Sequence, residues 1–163
     1  MNLIRLVFIS LLFCSAAQAE QPSLLHDFTG KPADLATHTA KGKWTIVMIW
    51  AHDCLVCNQE AAAYMDFHRR NANTTAEVIG ISMDGRENLS LAQSFTRRHK
   101  LTFENYIAEP VPISNWFFEQ TGATWRGTPT FLVYSPKGEL LAQQAGAIPV
   151  PLLEQFIQND GKF

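Results

Sequence analysis

The sequence predicts an α/β fold, a central mixed β-sheet flanked by helices. Three observations predict it. Residues 43–50 (KWTIVMIW) and 78–83 (VIGISM) are short apolar runs with many β-branched residues, and each is followed by a segment of helix-forming residues. Residues 130–134 and 139–145 are two further strand-like runs, joined by Ser135-Pro136-Lys137-Gly138, whose Pro and Gly positions are those of a tight turn. Finally, the chain has 163 residues with no internal repeat, low-complexity tract or Gly/Ser linker, which suits one domain around one core.

The first nineteen residues read as a secretory signal peptide. Arg5 supplies the early positive charge, residues 6–17 are apolar, and Ala17-Gln18-Ala19 is a small-residue cleavage pattern. The apolar stretch falls short of the roughly 20 residues that a spanning helix needs. Bulky Phe13 before Cys14 argues against a lipoprotein signal. The expected mature chain is therefore a domain over residues 20–163, periplasmic or secreted, with no membrane span. A formal net charge of −2 gives no basic surface for nucleic acid or an anionic membrane.

In chain order, residues 43–50 are apolar on both alternations, as in a buried central strand. Residues 57–71, rich in Ala, Met and aromatics, read as a helix. The strand over 78–83 is closed by Asp84-Gly85, and 87–100 reads as a second helix. Residues 102–107 suggest a short strand and 114–121 a short helix. After the hairpin, 149–158 is a closing helix with Pro at its start. The stretch before residue 43 reads as a polar lead-in.

The chemistry is carried by Trp50-Ala51-His52-Asp53-Cys54-Leu55-Val56-Cys57. Loss of Cys14 with the leader leaves Cys54 and Cys57 as the only thiols. A bridge between them closes almost no loop, so it is a poor structural staple. At a strand–helix junction the pair suits redox chemistry, because the unpaired N–H groups and dipole of a first helical turn stabilise a thiolate. Cys54 would attack and Cys57, one turn further in, would resolve. Glu60 lies three residues after Cys57, on the same helix face, and could take its proton. It could equally be an ordinary solvated glutamate.

Lys41-Gly42-Lys43, Trp50-Ala51, Cys54-x-x-Cys57 with Glu60, Ile79-Gly80-Ile81-Ser82, Gly127-Thr128-Pro129-Thr130-Phe131, Pro136-Lys137-Gly138 and Gly146 together resemble the thioredoxin-like fold. Within it they resemble the TlpA/ResA-type extracytoplasmic thiol–disulfide oxidoreductases. The resemblance implies a three-layer sandwich and a redox-active Cys54–Cys57 disulfide. It also implies a cis peptide at Pro129 facing that disulfide, Thr128 pairing with substrate backbone, Trp50 at the substrate site, and Glu60 tuning the cysteines. It suggests a reductant of protein disulfides, active for instance in cytochrome c maturation, fed by a membrane-bound or periplasmic electron donor. No cofactor and no resident metal are expected. The chain departs from the family in Asp53, where Trp is usual before the first cysteine, and in Leu55 and Val56, which put no Pro or cation between the thiols. Met48 occupies the strand position of the buried Asp of cytoplasmic thioredoxins, which leaves Glu60 as the natural acid.

Two alternatives remain open. One is a disulfide-forming oxidant using the same residues. The other is a copper-carrying module, in which two soft thiolates hold Cu(I) with help from His52 or Asp53. A structural zinc would need four ligands. Elsewhere the ordinary readings are preferred. His52 reads as an exposed loop residue, Arg97, Arg98, His99 and Lys100 as cations closing a helix, and Trp116, Phe117 and Phe118 as packing of an amphipathic helix. Trp125 and Arg126, directly before the Gly127-Thr128-Pro129 loop, suit either a partner-facing surface or packing.

Overall fold

The structure is a computed structural model, and it describes residues 23–162. The signal peptide expected over residues 1–19 lies outside these residues. The described residues form seven strands, β1 (Leu25–Asp27), β2 (Pro32–Ala33), β3 (Trp44–Trp50), β4 (Ala76–Ser82), β5 (Asn105–Ile107), β6 (Thr130–Tyr134) and β7 (Leu140–Ala145). They form one sheet in the order β2-β1-β5-β4-β3-β6-β7. β3, β4 and β5 run parallel, while β6, β7, β1 and β2 pair antiparallel with their neighbours. The sheet is mixed, as the sequence predicts.

Among the described residues, four helices cover it: α1 (Leu55–Asn71), α2 (Leu89–Arg98), α3 (Pro110–Thr121) and α4 (Val150–Gln158). Alternation along β3 separates two cores. Trp44, Ile46, Met48 and Trp50 pack with Tyr64 and Phe67 of α1, Phe95 of α2 and Phe156 of α4. Val47 and Ile49 pack on the other face with Ile113 and Phe117 of α3. All seven residues of β3 are buried, so its sequence shows no polar alternation. The result is a three-layer sandwich.

Differences from the sequence reading are local. The polar lead-in contains β1, β2 and a single 3-10 turn over Leu35–Thr37, elements too short to carry a periodic signal. Helix α3 begins at Pro110, four residues before the expected start. Proline is tolerated in a first turn, where its missing N–H would have no helical partner. Residues 86–88 form a 3-10 turn that leads into α2.

Candidate active site

The loop from β3 to α1 lies where parallel strands reach their carboxyl ends, the usual place for a site in an open α/β sheet. Cys54 is the N-cap of α1, with extended backbone angles (φ −71°, ψ 111°). The N–H of Cys57 donates to Cys54 Sγ at 3.0 Å. Helix start, dipole and an aimed N–H therefore converge on one sulfur. That environment favours the thiolate of Cys54 once the pair is reduced. A disulfide joins Cys54 to Cys57. Cys57 has no exposed surface, whereas Cys54 is half-buried and its neighbour Leu55 is 71% exposed. An incoming sulfur can reach Cys54 but not Cys57.

Trp50 is placed differently from the expectation. It is fully buried, stacked on Phe95 with ring centroids 4.2 Å apart, and its Nε1–H donates to Asn105 Oδ1 at 3.1 Å. A side chain with no surface cannot touch a substrate protein, so Trp50 is a support beneath the loop. Gly80 on β4 makes room for this arrangement. A Cβ there would overlap Asn105 Oδ1 and come within 2.9 Å of Trp50 Nε1.

His52 also departs from its expected role as a free loop residue. Its Nδ1 lies 2.8 Å from Asp84 Oδ1, and its backbone N–H donates to both Asp84 oxygens. The Asp84 side chain is 4% exposed and also accepts from Ser82 Oγ at 2.6 Å. Ligand atoms of His52, Asp53 and Asp84 all lie within 4.8 Å of one another. The Asp84 oxygens are already engaged by His52 and Ser82, so the cluster works as a lock on the loop. Exposed Asp53 carries a negative charge beside Cys54.

Glu60 is half-buried one turn beyond Cys57, on the same helix face. Burial raises its carboxyl above the usual glutamate range. Burial, with the Glu60 charge adding to it, also pushes the Tyr64 phenol well above its ordinary value. Tyr64 O–H donates to the Ile148 carbonyl at 3.0 Å and its ring stacks on Phe131, so this side of α1 is fixed to the sheet and to the loop before α4.

The Thr128–Pro129 peptide is cis. β3 and β6 are in register at Ile49 and Thr130, which brings Pro129 to the same end of the sheet as Trp50 and the cysteine loop. Thr130 Oγ1 donates to the Gly127 carbonyl at 2.6 Å, and Gly146 N–H donates to the Pro129 carbonyl at 2.8 Å. Gly127, at φ +123°, has a backbone that side-chain-bearing residues rarely adopt. Thr128 is half-buried. Trp125 packs edge-on against Phe117 of α3, whereas Arg126 is exposed.

The sequence reading missed Asp84, Ser82 and Asn105. In the sequence Asp84 reads only as the end of a strand. The Asp after Ile-Ser-Met, next to a turn glycine, is the one local sign that could have raised it.

A model of the AhpC/TSA family matches residues 6–141. The chain belongs to the AhpC/TSA family. Solved structures with the same fold include a thiol:disulfide interchange protein of the thioredoxin family from Chlorobium tepidum (TM-score 0.69, 19% identity, covering 90% of this chain and 100% of that one). Another is a secreted Mycobacterium tuberculosis disulfide oxidoreductase described as homologous to E. coli DsbE (TM-score 0.63, 20% identity, 82% and 92%). A third is a thiol-disulfide isomerase from Corynebacterium glutamicum (TM-score 0.65, 16% identity, 80% and 88%). At these identities the likeness shows a thioredoxin-like fold for this member of the family. The shared fold leaves the direction of electron flow to the local chemistry of each site.

Proposed function

We propose that this protein is an extracytoplasmic thiol–disulfide oxidoreductase that reduces disulfides of other proteins. The observation that carries the reading is the asymmetry of the cysteine pair. Cys54 is reachable and caps a helix that aims an N–H at its sulfur, while Cys57 is sealed beneath it. In the reductive half-cycle the Cys54 thiolate attacks a substrate disulfide, forming a mixed disulfide and releasing one substrate thiolate. Cys57 then loses its proton and attacks Cys54 Sγ. The second substrate sulfur leaves as a thiol, and Cys54–Cys57 is oxidised. Two electrons have passed to the substrate, and a periplasmic or membrane-bound dithiol donor must restore the pair.

Three features support assigned roles in this cycle. Glu60, with its raised pKa, suits acceptance of the Cys57 proton. The Thr128–Pro129 loop stands at the same end of the sheet and suits pairing with an extended substrate segment. With Leu55 and Val56 between the thiols, no cation in the motif drives Cys54 toward the very low pKa of a strong oxidant. Reduction is therefore the favoured direction, in a cell compartment reached by the signal peptide, and cytochrome c maturation is a setting that needs such a reductant.

The test is the reduction potential of the Cys54/Cys57 couple against glutathione, together with turnover on a protein disulfide. A potential below about −220 mV, in the range of glutaredoxins and thioredoxin, is expected. A value near −120 mV, typical of strong oxidants, would reverse the assigned direction while leaving the exchange chemistry in place.

A further inference from the structure

Helix α2 closes on Arg97, Arg98, His99 and Lys100, and two of these reach the cysteine helix. Arg98 Nη2 donates to Asn58 Oδ1 at 2.7 Å, and His99 Nε2 lies 2.9 Å from the same oxygen. Asn58 stands in the first turn of α1, directly after Cys57. Its Nδ2 donates to the Cys54 carbonyl at 2.8 Å and to the His52 carbonyl at 3.3 Å. Both ends of one amide are thus engaged, with the cysteine loop on one side and the end of α2 on the other. Its orientation has no free choice. Arg98 is held over the Phe95 ring, 5.7 Å from its centroid, and Phe95 in turn stacks on Trp50.

Burial, with the Arg98 charge adding to it, lowers the affinity of His99 for a proton. Arg98, whose Nε–H also reaches His99 Nε2 at 3.5 Å, is the fixed charge of the cluster. Opposing charges are Asp53, exposed beside Cys54, and Asp84, which is tied to His52 and Ser82.

We infer that Arg98, acting through Asn58, is a positioning residue that supplies Cys54 with the positive charge its own motif lacks. The guanidinium pulls on Asn58 Oδ1 and so strengthens the Nδ2–H bond to the Cys54 carbonyl, since linked hydrogen bonds polarise one another. It also adds positive potential at the end of α1 where the dipole already favours the thiolate. Arg98 is exposed, so this help is partly screened and depends on salt. The inference rests on the thiol–disulfide reading of Cys54 and Cys57.

The experiment follows the alkylation rate of Cys54 against pH in the reduced full-length protein, at low and high salt. Variants are Arg98→Met, Arg98→Lys and Asn58→Asp. At low salt Arg98→Met should raise the thiolate midpoint by about half a pH unit, a modest shift because the charge is exposed. The equilibrium with glutathione should then move about threefold toward the disulfide, or about 14 mV. Arg98→Lys should restore most of the midpoint. Near 1 M salt, where the Debye length is about 3 Å, the difference should shrink. Asn58→Asp keeps a partner for Arg98 but removes both donors to the loop and adds a negative charge, so it should raise the midpoint further. An unchanged midpoint in Arg98→Met overturns the inference. So does a loss in Arg98→Lys as large as in Arg98→Met, or a shift indifferent to salt. Failure of the wild-type couple to exchange with glutathione would instead remove the oxidoreductase reading, and the alkylation profile would still judge Arg98.

Discussion

Cys54 stands between opposing influences that single substitutions can separate. The helix start and the Cys57 N–H favour its thiolate, while Asp53 next to it carries the wrong sign. Asp53→Asn keeps the shape and removes the charge. It should lower the Cys54 midpoint by about half a pH unit, since an exposed charge acts through solvent. Thiolate absorbance against pH reads this directly, and an unchanged midpoint would mean that the Asp53 charge does not reach the sulfur. Glu60 acts on the other half of the cycle. If it accepts the Cys57 proton, Glu60→Gln should slow release of a trapped Cys54 mixed disulfide by about a hundredfold, the lower end of the ~10²–10⁴ typical of a lost general base. Attack by Cys54 on a small disulfide should change little. Equal release rates across pH would return Glu60 to being an ordinary helix residue.

At the scale of elements, the site depends on how β4 receives the end of β3. Trp50 lies flat under the loop only because Gly80 leaves space for its bond to Asn105. Gly80→Ala must push Asn105 or the indole aside, leaving Trp50 Nε1 unpaired in a buried place. A cost of about 1–3 kcal/mol is expected. The urea midpoint would report it, and a stability within about 0.5 kcal/mol of wild type, the usual scatter of surface substitutions, would show that the neighbours yield freely. The same elements mark what the sequence could disclose. β3, β4, α1 and the β6–β7 hairpin are long or well punctuated, and their composition identifies them. β1 and β2 have three and two residues and exist by pairing at the sheet edge, which local propensity does not record. The buried strand pattern of residues 43–50 agrees with the buried Trp50, and it is the resemblance that puts this side chain at the substrate site. His52 and Asp84 are 32 positions apart, so their contact is visible only when the ends of β3 and β4 are side by side. The cysteine pair and Glu60, by contrast, interact along one helix, and that spacing is written in the chain.

The whole molecule has a pH dependence that follows from its histidines. His68 on α1 is half-buried, and its Nδ1 accepts the backbone N–H of Val78 on β4 at 3.1 Å. That bond requires an unprotonated Nδ1, and burial, aided by the Lys43 charge and opposed by Glu77, holds the imidazole below its ordinary value. Burial, with Arg86 adding to it and Asp27 and Glu109 opposing, also lowers His26; burial with Arg98 lowers His99. In the unfolded chain each titrates near 6.5. Above that value neither state binds these protons, so their contribution to stability is present in full. As pH falls through 6.5 toward the lower folded-state values, the unfolded chain binds protons that the fold refuses, and stability drops. Glu60 has the opposite sign. Its raised folded-state pKa gives a contribution present below about 4.5 and lost as pH rises through the folded value. Between pH 7.5 and 5.5 the three histidines should dominate, and the urea midpoint should fall. His68→Gln keeps an oxygen acceptor for Val78 and removes one titrating group, so the fall should become smaller while the midpoint at pH 7.5 changes little. The same slope in both proteins would sink the assignment to His68 and leave the dependence to His26 and His99.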